Sequence, residues 1–269
     1  MNNTELVSII MPTYNTKEHL HQSIESILNQ TYPNFELLIT DDCSSDPHTI
    51  ETIKHYASID QRVKPVFFDH NQGAGCARNN AIGRAAGRYI AFCDSDDCWL
   101  PNKLEVQLTF MKEKNCALSC ASYIVCDSQY NEIGINIPPR IITYSMLKRD
   151  NKVGCLTAMY DVQLLGKKFY MPTLRKRQDW GLFLQIVREC GRCYVYTEKP
   201  LAKYCTHENS VSSDKFSLVK YNIAVYRTVL DYGPIKSFFY FFGLFMPTYI
   251  SKIIRRKIDS KRYVIQKKL

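Results

Sequence analysis

Three carboxylates stand in four residues at Asp94-Ser95-Asp96-Asp97, directly after the apolar run Tyr89 to Cys93. Like charges this close repel one another, so the group needs either a cation or full solvation. Hard divalent cations take carboxylate oxygens and bridge phosphates, which makes a metal and phosphate site one use of such a turn. A simple acidic cap on the next helix is the other. A second acidic run, Asp41-Asp42-Cys43-Ser44-Ser45-Asp46, also follows an apolar stretch. Its carboxylates can accept hydrogen bonds from a base or a ribose, or build an Asx turn with Asp46 as a helix cap. Arg78 offers a planar guanidinium to phosphate oxygens, with a surface ion pair as the alternative. Asp179 falls at the start of a predicted helix, where it can serve as a general base or merely complement the dipole. His207 closes a predicted strand and can ligate a metal or simply pack.

These residues matter because of where the surrounding elements put them. Leu6 to Met11 is a continuous apolar run, the pattern of a strand buried on both faces, and Phe35 to Thr40 reads as a second buried strand. Pro12 is expected to end the first. Val63 to Phe68 and Tyr89 to Cys93 read as two more strands. Leu20, Ile24, Ile27 and Leu28 keep the spacing of one helix face. Further helices are predicted after Asp46-Pro47, over Ala74 to Ala86 and over Pro101 to Lys114. Strands alternating with helices indicate a doubly wound α/β sheet, whose ligands bind at the carboxyl ends of the strands. Pro12 to Asn15, Asp41 to Asp46 and Asp94 to Asp97 all sit at such ends. Beyond residue 115 the pattern weakens: Ala117 to Cys126 reads as one strand, Gln178 to Glu189 as a helix, and Tyr194 to Tyr196 and Ala202 to Thr206 as strands. Ser213 to Leu230 reads as a helix with Phe216, Val219, Ile223 and Tyr226 on one face.

Length and charge bound the rest. A chain of 269 residues is enough for one sizeable core with a small appendage. From Lys252 to Leu269 eight basic residues stand against Asp259 alone, so this tail carries +7 of the net +9. The remainder is nearly neutral, which argues against a nucleic-acid surface and for a tail that meets anionic lipid. Eleven cysteines without a repeating spacing predict reduced thiols, not a disulfide framework or a zinc site. The first residues lack a basic segment followed by an apolar one, so no signal peptide is expected. The uncharged run from Ser237 to Ile250 is shorter than the roughly 20 residues that span a bilayer.

Taken together, Val7 to Asn15, Asp41 to Asp46, Asn71-Gln72-Gly73 with Ala77-Arg78-Asn79, Asp94 to Asp97, Gln178-Asp179-Trp180 and Tyr204 to Ser210 resemble the inverting family 2 glycosyltransferases of bacterial polysaccharide and O-antigen synthesis. The resemblance covers about residues 5 to 215. It implies the GT-A fold, a doubly wound mixed α/β sheet, with a C-terminal helical extension. A glycosyltransferase domain is then expected over 1–232, its nucleotide-binding half about 1–115 and its acceptor half about 116–232, followed by an extension over 233–269. By the same resemblance the donor is a UDP-sugar. Pro12, Tyr14, Asn15, Asp42, Arg78, Asp94 and Ser95 would meet it, Tyr14 stacking on the base, Asp42 hydrogen-bonding it and Arg78 lying near the diphosphate. Asp94 and Asp96 form the Asp-x-Asp motif. Asp96 and His207 would hold a divalent metal, Mn²⁺ or Mg²⁺, and Asp179 would be the catalytic base. Cys43, Gln178 and Arg88 depart from the family, which usually has Gly, Glu and an acidic residue there; Cys43 is expected to loosen its turn.

The resemblance also implies a saccharide acceptor linked to a polyprenyl diphosphate, and a cytoplasmic enzyme peripheral to the inner membrane surface. The aromatic cluster Phe238 to Phe245, followed by the basic tail, suits a helix lying in that interface; packing on the domain or in a homodimer is the alternative use. Two other functions are weighed. A sugar nucleotidyltransferase of related fold usually carries a glycine-rich loop after its first strand, where this chain has Pro12-Thr13-Tyr14-Asn15. A non-catalytic sugar-nucleotide-binding or scaffold protein would not keep Asp94, Asp96, Asp179 and His207 together.

Overall fold

The computed structural model describes residues 5–17, 19–206 and 215–268. The strands run β1 (Val7–Thr13), β2 (Phe35–Asp41), β3 (Val63–Phe67), β4 (Tyr89–Phe92), β5 (Cys98–Trp99), β6 (Leu118–Ala121), β7 (Tyr123–Cys126), β8 (Glu132–Asn136), β9 (Ile141–Thr143), β10 (Met159–Asp161), β11 (Arg192–Tyr196) and β12 (Ala202–Cys205). The helices are α1 (His19–Leu28), α2 (Pro47–Ile59), α3 (Ala74–Arg84), α4 (Lys103–Lys114), α5 (Tyr144–Arg149), α6 (Val162–Leu165), α7 (Gln178–Cys190), α8 (Lys215–Thr228), α9 (Pro234–Phe239) and α10 (Met246–Lys268).

A mixed sheet in the order β3-β2-β1-β4-β10-β6-β11-β9 forms the centre, and β5-β12-β7-β8 make a second sheet. Strands β3, β2, β1 and β4 are parallel, as the alternation of apolar runs and helices requires. The sheet turns mixed at β10, which runs antiparallel to both β4 and β6. Both faces are covered. Ile9 and Leu37 face one apolar cluster with α1 and α4, and Ile10 and Leu38 face another with α3 and α7.

Three expectations are corrected. β1 does not stop at Pro12 but continues to Thr13, paired with β2. Along β1, Ile10 offers its carbonyl to Cys93 and Thr13 to Asp42, so the backbone at Pro12 points to the β4 side. The ladder with β4 has already ended at Ile10 there, so proline's missing N–H leaves no partner unsatisfied. The stretch Ala117 to Cys126 is two strands, β6 and β7, that leave Ser122 for different sheets. In α8, Ile223 and Tyr226 turn inward, but Val219 is 36% exposed, and Asn222 and Val225 are buried in its place.

The C-terminal residues form one helical run through α9, a π-helical turn over Tyr240–Phe245, and α10. By length and composition, Pro234–Lys267 could cross a membrane, and only 17% of its most apolar window is buried. Pro247 does not end the run: it stands just after the π-helical turn, and the helix continues past it, so the helix is longer than the uncharged run Ser237 to Ile250 alone.

Candidate active site

Short turns set the carboxylates at the strand ends. After β4, Cys93 donates its backbone N–H to Ile10, and Asp97 closes the acidic turn onto the Asp94 carbonyl at 3.1 Å. Asp97 is buried, and its carboxylate accepts the Cys205 N–H at 3.1 Å, so it ties this turn to β12. Asp94, Asp96 and Asp97 all line the cavity. Burial, and then the charge of Asp94, push the Asp96 carboxyl up to about 6. A carboxylate held so close to like charge favours a cation beside it. A hard divalent ion suits this donor set, with diphosphate oxygens completing its shell. Among the described residues no group of three or more His, Cys, Asp or Glu side chains is placed to hold a metal unaided. His207, the other expected ligand, lies outside the described residues.

Arg78 reaches the same place from α3. Its guanidinium lies 2.5 Å from the Asp94 carboxylate. Burial works against its charge, but its acidic surroundings, Asp94 foremost, more than offset that and raise its pKa above the ordinary arginine value. Its Nε is buried without a hydrogen-bond partner among the described residues, a donor still available to an oxygen. The small residues of α3 allow this placement. A Cβ on Gly75 would come into van der Waals contact with Gln178 at 3.4 Å, so α3 and the start of α7 are neighbours.

Asp179 sits in the first turn of α7, next to an anchor. The neighbouring Trp180 is fully buried and donates its indole N–H to the Leu147 carbonyl on α5 at 2.7 Å. Just past the end of α5, Asn151 donates Nδ2 to Asp179 Oδ2 at 2.8 Å. Thus α5 fixes both the helix and the rotamer of its carboxylate. Nothing in the sequence around Asn151 marks it, because its partner is 28 residues away.

One cavity of about 760 Å³ gathers Arg78, Asp94, Asp96 and Asp179. Pro12, Tyr14, Asn15, Asp42 and Ser95 are not on its wall. Pro12 is buried in β1. Tyr14 is 52% exposed just past the end of that strand. Asn15 spends its side-chain carbonyl on the Ser45 and Asp46 N–H groups at 2.9 and 3.0 Å. Both oxygens of Asp42 accept backbone N–H groups, from Gln72 at 2.7 Å and Gly73 at 2.8 Å. Ser95 shares a hydrogen bond with Thr16 at 2.8 Å. These side chains lock the loops at the strand ends to one another. Cys43 does not loosen its turn as expected. It takes φ +64° itself, a left-handed conformation that costs a side-chain-bearing residue about 1–2 kcal/mol. Arg88 pairs with Glu5 and Asp161 away from the cavity, and all eleven cysteines are free thiols.

The family model described as "Glycosyl transferase family 2" matches residues 8–165. Over 225 residues the chain is 39% identical to TuaG of Bacillus subtilis (strain 168), a glycosyltransferase named for teichuronic acid biosynthesis, covering 83% of this chain and 88% of that one. Over 215 residues it is 38% identical to the Escherichia coli enzyme WfgD, a UDP-Glc:alpha-D-GlcNAc-diphosphoundecaprenol beta-1,3-glucosyltransferase, covering 80% of this chain and 83% of that one. Among solved structures, S. aureus TarS 1-349 in complex with UDP-GlcNAc matches with a TM-score of 0.69 over 92% of this chain and 73% of that one, at 19% identity. That likeness is one of fold, and the fold is GT-A, as the sequence implies.

Proposed function

The chain belongs to glycosyl transferase family 2, and from that premise we propose that it moves a hexose or N-acetylhexosamine from a UDP-sugar to a saccharide on a polyprenyl diphosphate, inverting the anomeric configuration, in cell-surface polysaccharide synthesis. The observation that carries this reading is the cavity that gathers Asp94, Asp96, Arg78 and Asp179. The printed reaction of WfgD supports the donor and acceptor classes.

In this mechanism Asp179, held by Asn151, takes the proton of the acceptor hydroxyl. The hydroxyl oxygen bonds to the anomeric carbon while the bond from that carbon to the diphosphate breaks on the opposite face. The electron pair leaves with the diphosphate. General base assistance of this kind is worth about 10²–10⁴ in rate. Arg78 turns its unpaired Nε–H toward the departing oxygens, and Asp94 keeps that guanidinium in place. Asp96 and His207 are the residues assigned to a divalent cation, Mn²⁺ or Mg²⁺, which when bound neutralises the diphosphate leaving group. Tyr14 offers its exposed ring to the base. Asp42 keeps a second lone pair on each oxygen for the same base while clamping Gly73. Pro12, Asn15 and Ser95 shape the donor site through the strand-end loops.

The extension from 233, helical over 234–268, is assigned to the cytoplasmic membrane surface. Phe238, Phe239, Phe242, Ile250 and Ile254 are exposed among basic residues. Phe241 and Phe245 meanwhile are buried in the domain core beside Trp180. A helix docked along the domain in this way lies on a bilayer rather than crossing it.

Calorimetric titration of UDP, with and without Mn²⁺, tests the reading. Metal-dependent binding is expected in the wild type, lost in Asp96→Ala and retained in Asp179→Asn, whose transfer rate falls by 10²-fold or more. Equal loss of binding and transfer in Asp179→Asn would remove its assignment as base, and a wild type that binds no UDP would remove the donor.

A further inference from the structure

The catalytic cavity has a second wall that the transfer reaction does not use. Its residues come from α10, from the segment after α5 and from the residue that opens α7: Lys152, Arg177, Lys252, Arg255 and Arg256. Two carboxylates stand among these five cations. Asp150 is shared by Lys252 at 2.7 Å and Lys152 at 3.6 Å, and Asp259 lies 3.7 Å from Arg255. Arg256 has no carboxylate within 4 Å among the described residues. Arg177 opens α7 with φ +65°, and its Nε is buried without a hydrogen-bond partner among them. Lys252 feels both Lys152 and Arg177 as like charges. The wall is therefore an excess of positive charge with unused donors, aimed into a cavity.

Position decides what it would hold. Lys252 donates to the Asn151 carbonyl at 3.0 Å, and Asn151 donates to Asp179 at 2.8 Å. The basic wall is thus one residue beyond the base, on the side from which the acceptor hydroxyl must come. The donor diphosphate belongs with Arg78, Asp94 and Asp96 instead. The far face of α10 is apolar: Ile250, Ile254 and Ile258 recur every fourth residue and are exposed, while Ser260 and Tyr263 hold the opposite face to β8. A lipid tail would find its surface a helix width away from the cations.

We propose that Arg255 and Arg256 of α10, with Lys252, Arg177 and Lys152, seat the diphosphate of the lipid-linked acceptor. The saccharide then points inward to Asp179 and the lipid passes over the apolar face of α10. The seat rests on the acceptor class given under the proposed function and adds the residues that recognise it. Charge-assisted pairing with phosphate oxygens supplies the affinity.

Two readouts test it. In the first, transfer is measured to one saccharide carried either on an alkyl diphosphate or on a neutral alkyl group. Arg255→Ala with Arg256→Ala is expected to raise KM for the diphosphate acceptor about tenfold or more, which is about 1.4 kcal/mol. KM for the neutral acceptor and for the UDP-sugar should stay within about twofold, which also shows that the variant is folded. In the second, an alkyl diphosphate without sugar is titrated into the full chain without donor. Binding is expected in the wild type and not in the double variant, while UDP binding is the same in both. Equal loss on both acceptors, equal weakening of UDP and alkyl diphosphate, or no change in either readout would each overturn the seat. The titration decides even if no donor sugar supports transfer, an outcome that would count against the proposed function and not against the seat.

Discussion

Lys103 shows how a single residue can work against the fold that holds it. It lies in the first turn of α4, fully buried, with Nζ 3.8 Å from the centre of the Trp99 ring and no hydrogen-bond partner among the described residues. Burial pushes its amine down to about 7, against about 10.4 for a solvated lysine. Between those values the unfolded chain binds a proton that the folded chain does not, so stability rises with pH across that window. Below about pH 7 the full cost of the buried charge is felt. Lys103→Met keeps the volume and the ring contact without the charge. Thermal melts from pH 6 to 9.5 should show the variant more stable than wild type at pH 6, with the gap closing as pH rises. A constant gap would mean that Lys103 is not the group responsible. At the same scale, the sequence could name the Asp94 to Asp97 cluster by its strand-end position, and Asp179 and Arg78 by their residue types and the family resemblance. It could not show that Asp97, which lines the cavity with Asp96, also commits a carboxylate oxygen to the Cys205 N–H. Which way a carboxylate faces depends on a strand 108 residues away.

Among the elements, α5 does the least obvious work. It was not legible in the sequence, since six residues between two short strands carry no periodicity to read. Yet it receives the Trp180 indole and delivers Asn151 to Asp179. Asn151→Ala is expected to release the Asp179 carboxylate and lower kcat by about 10- to 100-fold, since small misplacements of a catalytic group cost that much. UDP affinity should be unchanged. Asn151→Asp would place a second carboxylate against the first and shift the rising limb of the pH–rate profile upward. Calorimetry and a pH–rate series check both, and an unchanged kcat in Asn151→Ala would show that Trp180 alone orients the base. The parallel half of the sheet, by contrast, was readable strand by strand, because β1, β2 and β4 are buried on both faces and leave largely apolar runs, with the buried Ser8 donating a hydrogen bond to Glu36.

At the scale of the whole molecule, the C-terminal run is both core and surface. Phe241 and Phe245 pack with Trp180 and Tyr226, while Phe238, Phe242 and Ile254 face outward. The boundary expected at residue 232 is thus bridged by the hydrophobic core. Cutting the chain there should destabilise the domain strongly, since each buried phenylalanine is worth about 3–5 kcal/mol when truncated. Phe238→Ser with Phe242→Ser and Ile254→Ser should leave the melting temperature within a few degrees and sharply reduce flotation with anionic liposomes. Undiminished flotation would remove the membrane assignment.

The amino-acid sequence by itself determined the parallel α/β half, the strand-end location of the chemistry and the family, because all three rest on local patterns: apolar runs, turn chemistry and short motifs in order. Tertiary structure alone decided the rest. The second sheet is built from short strands with mixed exposure, and its pairing of β12 with β7 joins residues far apart in the chain. The contact of Asn151 with Asp179, and the turning of α10 so that its cations line the cavity while its isoleucines face away, are likewise long-range. A linear pattern records which faces of a helix are polar. It does not record what those faces will meet, because that is fixed only when distant segments close on one another.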